Sequence, residues 1–117
     1  IVEELGMVPG VTLNPATPVA AVAEAARYAR NLLCMSVSPG WGGQKFITAT
    51  LDRLPELRAL AGPGVGVEVD GGIAADTIVA AYEAGANRLT AGSAIYKQPD
   101  PGAAYQALVE QVRAAGA

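Results

Sequence analysis

The chain has 117 residues, 51% of them apolar, with few aromatic residues, no histidine and a formal net charge of −3. That length suits one domain, and a composition rich in alanine and glycine suits packed α/β layers better than disorder. The acidic balance without any basic cluster speaks against a nucleic-acid partner. No apolar run approaches the ~20 residues that cross a bilayer.

Residues 1–6, IVEELG, read as the last turn of a helix, with Glu3, Glu4 and Leu5 as helix formers and Gly6 at the C′ position. The chain therefore reads as the C-terminal portion of something longer. Its first residues carry no basic n-region or apolar h-region, and a cytoplasmic protein is the expectation. A short strand is expected at 9–13, closed by Asn14-Pro15. Thr17 as N-cap and Pro18 at the first helical position then open a helix through VAAVAEAARYAR (19–30). Asn31 breaks it, and LLCMSV (32–37) is a continuous apolar run of the kind found in parallel strands covered on both faces.

PGWGGQKF (39–46) reads as a loop, followed by a helix from about Thr48 to Leu60 with leucines at 51, 54, 57 and 60. Pro55 inside that pattern predicts a kink or a later start. After the AGPG turn (61–64), VGVEVD (65–70) is a strand and GGI its loop. AADTIVAAYEAGA (74–86) is a helix with Asp76 as its cap and Gly85 as its terminator. RLTAG (88–92) is the last strand, SAIYKQ a short turn or helix, and Pro99-Asp100-Pro101 opens a final helix over 103–115. Strands alternating with helices at this spacing imply βαβ units and a parallel sheet. The fold class expected is α/β, a half-barrel fragment of a TIM (β/α)8 barrel, with residues 1–117 as its C-terminal half of about four βα units.

Three of the strands end in glycine turns: CMSVSPGWGGQ (34–44), VGVEVDGGI (65–73) and NRLTAGSAIY (87–96). Barrels of parallel strands collect their chemistry at such strand ends. Backbone N–H groups hold phosphate best where no Cβ intrudes, and a following helix start adds free donors. One such turn alone usually makes only a bend; three in succession point to a phosphate cage.

Asp70 is the one carboxylate closing a strand directly before Gly-Gly. A residue in that place is commonly a cap or turn former, but no helix starts there, and acid/base work is the reading preferred for it. Alternation puts Glu68 on the same face, with Val67 and Val69 opposite. Glu68 reads as a structural polar layer bonded to neighbouring strands. Met35 is most simply core packing, Cys34 an inert core thiol, and Trp41 either a lid over a ligand or an aromatic resting on a helix.

GVTLNPATP, MSVSPGWGGQKF, VEVDGGI and AGSAIY, in that order and spacing, resemble the ribulose-phosphate 3-epimerase family from about Gly6 to the final helix. The resemblance implies an isomerase of the pentose phosphate pathway that interconverts D-ribulose 5-phosphate and D-xylulose 5-phosphate. Two aspartates on opposite faces of the sugar exchange protons at C3. A divalent cation (Zn, Fe, Mn or Co), held by two histidines and both aspartates, stabilises the enediolate. By this resemblance Asp70 is acid/base and metal ligand, Gly40, Trp41, Gly42 and Gly43 form the loop over the substrate, and Met35 lies beside the reacting carbons. Gly71, Gly72, Gly92 and Ser93 are its phosphate and sugar contacts.

Ser38 and Trp41 depart from the residues common in the family, where an acid or amide and a phenylalanine stand. The partners implied are a phosphorylated pentulose and, at full length, further copies of the same chain, with no nucleic acid and no membrane. The other cation ligands belong to the family's first half, so the 117 residues alone are expected to be inactive. Two other readings stand beside this one: a hexulose-6-phosphate 3-epimerase, and a non-catalytic half-barrel that binds phosphosugars.

Overall fold

The computed structural model describes residues 1–117. Its centre is a four-stranded parallel sheet of β1 (Gly10–Leu13), β2 (Asn31–Met35), β3 (Gly66–Asp70) and β4 (Arg88–Thr90), ordered in space as in sequence. The helices are α1 (Ala23–Ala26), entered through a 3-10 turn at Val19–Val22, α2 (Thr50–Leu60), α3 (Ile78–Glu83), α4 (Ser93–Tyr96) and α5 (Pro101–Ala114). This is the alternation expected of a parallel α/β fold. β1 and β4 each have one neighbour, so both edges of the sheet are open.

The register sorts the strand residues into two faces. Leu13, Leu32, Cys34, Val67 and Val69 are wholly buried against the helices, together with Leu54 and Leu57 of α2. Burying a large aliphatic side chain contributes roughly 1.5–3 kcal/mol, so this side holds the stability. Twenty-one of the 117 residues are buried, and the opposite face contributes almost none of them. There Leu33 stands beside Glu68 and Met35 beside Asp70, with Arg88 and Thr90 next along. Glu68 accepts hydrogen bonds from Asn31 Nδ2 at 2.7 Å and Thr90 Oγ1 at 2.8 Å, and Arg88 Nη1 donates to Asn31 Oδ1 at 3.1 Å. The polar layer expected at Glu68 is therefore realised across three strands.

Cys34 lies in the core as expected, and burial pushes its thiol pKa up, with Arg53 pulling weakly the other way. Met35 does not. It projects from the uncovered face, half-buried and outside the apolar cluster, because its place in β2 has the parity of Leu33 and not of Cys34.

Several helix boundaries differ from expectation for local reasons. The helix expected over 19–30 is a 3-10 turn and one α turn. Thr17 does not cap it: its carbonyl and that of Pro15 accept from the Arg53 guanidinium, and Pro18 stands extended at the N-cap. At the other end the Arg30 N–H is taken by Pro9 O, which draws the chain into the sheet. α2 begins at Thr50 and runs unbroken through Pro55. α3 begins at Ile78 because Thr77 organises the preceding turn, donating from Oγ1 to Gly72 O at 2.8 Å and accepting from Ala74 N at 2.9 Å. Asp76 does not cap α3; Thr77 holds the N-cap position.

The terminators were legible. Gly6 and Gly85 both have positive φ, and each closes its turn by a paired 6→1 and 5→2 bond: Met7 N to Val2 O with Gly6 N to Glu3 O, and Ala86 N to Ala81 O with Gly85 N to Tyr82 O. Arg58 then clamps the second of these, donating to Gly85 O and Val65 O. Asp100 caps α5 from Ala103 N at 3.0 Å, with Pro101 behind it.

Candidate active site

The C-terminal ends of β2, β3 and β4 open into one cleft of about 400 Å³. Every site residue expected from sequence lines it: Met35, Gly40, Trp41, Gly42 and Gly43 from the β2 side, Asp70, Gly71 and Gly72 from β3, and Gly92 and Ser93 from the turn after β4. The alternation of β3 explains why Asp70 is there. Val67 and Val69 are committed to the helices, so Glu68 and Asp70 must point the other way.

Asp70 is the only charged residue among those lining the cleft. Partial burial raises its carboxyl pKa above the ordinary carboxylate value of 3.8, and the neighbouring Glu68 charge adds to the rise. Glu68 itself is engaged on both oxygens by Asn31 and Thr90, whereas the Asp70 carboxylate has no protein donor and faces open space. A carboxylate so placed is free to accept a proton from a ligand.

The glycines after Asp70 have a packing reason as well. A Cβ on Gly71 would lie 2.5 Å from a Val37 methyl, and one on Gly72 would lie 2.5 Å from the backbone nitrogen of Phe46. Both also have positive φ, at 125° and 68°. Only glycine lets the 39–46 loop and the β3 turn approach this closely. Gly92 meets nothing within 4 Å and stands as the N-cap of α4, so the space before Ser93 stays open.

Two residues that position the cleft carried no sequence signal that was used. Ser36 is wholly buried: its N–H donates to Asp70 O at 2.9 Å, its hydroxyl donates to Gly71 O at 2.5 Å, and its carbonyl accepts from Ile47 N at 2.8 Å. It ties the exit of β2 to the Asp-Gly-Gly turn. Gln44 Nε2 donates to Ser38 O at 2.6 Å and Trp41 O at 2.9 Å, closing the glycine loop on itself. A serine inside an apolar run, and an amide three residues after a loop tryptophan, are signals that could have found them. Trp41 is 68% exposed and lines the cleft.

No group of three or more His, Cys, Asp or Glu side chains gathers to hold a metal ion. The chain by itself offers one free carboxylate at the cleft, which is a single ligand and not a metal site. No helix is long and apolar enough to cross a membrane.

Comparison with known proteins agrees with this geometry. The profile of the Ribulose-phosphate 3 epimerase family matches residues 1–96. The chain is 43% identical over 103 residues to the ribulose-phosphate 3-epimerase of Serratia marcescens, covering 86% of this chain and 49% of that protein. It is 43% identical over 110 residues to the cytoplasmic isoform from Oryza sativa subsp. japonica, covering 92% of this chain and 48% of that one. Among solved structures, orotidine 5'-phosphate decarboxylase from Pyrococcus horikoshii superposes with a TM-score of 0.53 at 18% identity, covering 96% of this chain and 64% of that one. That likeness concerns the fold alone. The chain spans about half the length of the curated relatives it matches. With the family profile running through all three glycine turns, the chain belongs to the ribulose-phosphate 3-epimerase family.

Proposed function

We propose that this chain is the C-terminal half of a barrel that epimerises D-ribulose 5-phosphate and D-xylulose 5-phosphate at C3, with Asp70 as one of its two proton-transfer groups. The observation that carries the reading is the Asp70 carboxylate, free of protein donors, at the end of β3 in a cleft walled by three glycine turns. Asp70 takes the C3 proton of one epimer as general base. A second carboxylate, from residues outside these 117, delivers a proton to the opposite face. Each turnover leaves the abstracted proton on Asp70 and the second carboxylate ionised; exchange with solvent resets both, and in the reverse direction the roles are swapped. The upward shift of its pKa by burial favours this, because a stronger base removes a carbon-bound proton more readily.

The phosphate is held by backbone groups. The first N–H groups of α4 have no preceding carbonyl within the helix, and the open approach at Gly92 leaves them reachable. Gly72 lines the same cleft. Met35, in register with Asp70, presents an apolar wall to the reacting carbons and keeps water from the carbanionic centre. Asp70 would supply one ligand to a divalent cation, the remaining ligands coming from the half not present here. Bound, such an ion supplies electrostatic stabilisation at the ketone oxygen worth several kcal/mol. The setting proposed is cytoplasmic carbohydrate metabolism in a homo-oligomer.

The test joins this chain behind the first half of the Serratia relative and assays the product on five- and six-carbon ketose phosphates. Epimerisation of the pentulose phosphate in preference to the hexulose supports the reading; the reverse preference identifies the hexulose reaction. A fusion that folds, binds phosphosugar and turns over neither would make the cleft a binding site only.

A further inference from the structure

A phosphate monoester brings nearly two negative charges at neutral pH, and the cleft proposed for it already holds the like charge of Asp70 and no side-chain cation. Backbone dipoles offset part of that repulsion; a nearby cation would offset the rest. Lys97 is the residue placed to do so. It follows α4 directly, and its Nζ lies 3.7 Å from where a Cβ on Gly43 would stand, so the ammonium rests over the glycine loop. No carboxylate pairs with it, since the ion pairs of the chain belong to the Ile1 amine, Arg27 and Arg30. Lys97 lines a hollow of about 660 Å³ that adjoins the cleft and shares Gly72 and Ser93 with it. Asp76 is the carboxylate of that hollow and Lys45 its second cation; neither forms an ion pair.

We propose that Lys97 is the cationic contact for the ligand's phosphate, reaching over Gly43 to the group held by the Gly72 and Ser93 backbone. This rests on the phosphosugar reading above and adds the residue that lets a dianion and Asp70 share one cleft.

Inorganic phosphate titrated into the 117-residue chain, followed by backbone amide shifts at Gly72, Gly92 and Ser93, tests this. Lys97→Gln weakens binding about three- to tenfold, Lys97→Glu weakens it further, and Lys97→Arg holds it within about twofold, as a through-space charge effect at partial exposure requires. The gap between wild type and Lys97→Gln closes as salt rises toward 1 M, where the screening length is about 3 Å. Lys45→Gln, the control, stays within about twofold of wild type. If the amides shift and Lys97→Gln binds as wild type does, the Lys97 contact is refuted while the phosphate site stands. If they do not shift in wild type, both fall together.

Discussion

Replacing Gly72 by alanine tests how the cleft is built. The added Cβ would lie 2.5 Å from Phe46 N and 2.7 Å from Phe46 Cα, both backbone atoms, so no rotamer change relieves the clash. The residue also sits at φ 68°, where a Cβ costs ~1–2 kcal/mol. Forcing packed segments apart typically adds ~1–3 kcal/mol, giving a total of about 2–5 kcal/mol against a domain stability of ~5–15 kcal/mol. At a urea slope of about 2 kcal/mol per molar, the unfolding midpoint of the chain falls by ~1–2.5 M. Gly64 supplies the control, since its φ is 76° and nothing stands within 4 Å of its added Cβ. Gly64→Ala therefore carries the backbone strain alone, ~1–2 kcal/mol and about 0.5–1 M of urea. Equal midpoints for the two variants would refute the close approach of the 39–46 loop to the Asp-Gly-Gly turn.

Other consequences are as direct. Because the Asp70 pKa is raised on folding, the folded chain holds its proton to higher pH than the unfolded one, and ionising it costs stability as pH rises from 3.8 upward. Asp70→Asn is thus expected to be more stable than wild type at pH 7, with the difference vanishing below pH 3.8; urea titrations at the two pH values measure it. Cys34, buried with a raised pKa, should resist alkylation by iodoacetamide in buffer and react readily in urea, read by mass spectrometry. Ser36→Ala leaves Gly71 O without its hydroxyl donor and should cost ~1–3 kcal/mol in urea unfolding.

What could be read from sequence followed the range of the forces involved. The four strands and their order came from short apolar runs ending in turns, and the face assignment of Glu68 and Asp70 from a strict period of two. Gly6, Gly85 and Asp100 were legible because their bonds close within a few residues. Thr17 and Asp76 misled because what decided their neighbourhoods came from elsewhere: Arg53, distant in sequence, claims Thr17 O, and the Thr77 hydroxyl organises the 72–77 turn. Met35 read as core on residue type alone, while its parity with Leu33 sends it to the uncovered face. The cleft residues were identified by their motifs, but the reason Gly71 and Gly72 cannot be larger lies in Val37 and Phe46, which only the fold brings near.

In the proposed reaction Asp70 moves the proton at C3. In the barrel completed with the Serratia relative's first half, deuterium uptake at C3 in heavy water, measured separately from ribulose 5-phosphate and from xylulose 5-phosphate, reads the two proton abstractions one at a time. Asp70→Asn is predicted to slow exchange from one of the two epimers by about 10²–10⁴-fold while affinity for the phosphosugar holds or tightens. Exchange at the wild-type rate from both epimers in that variant would contradict the assignment.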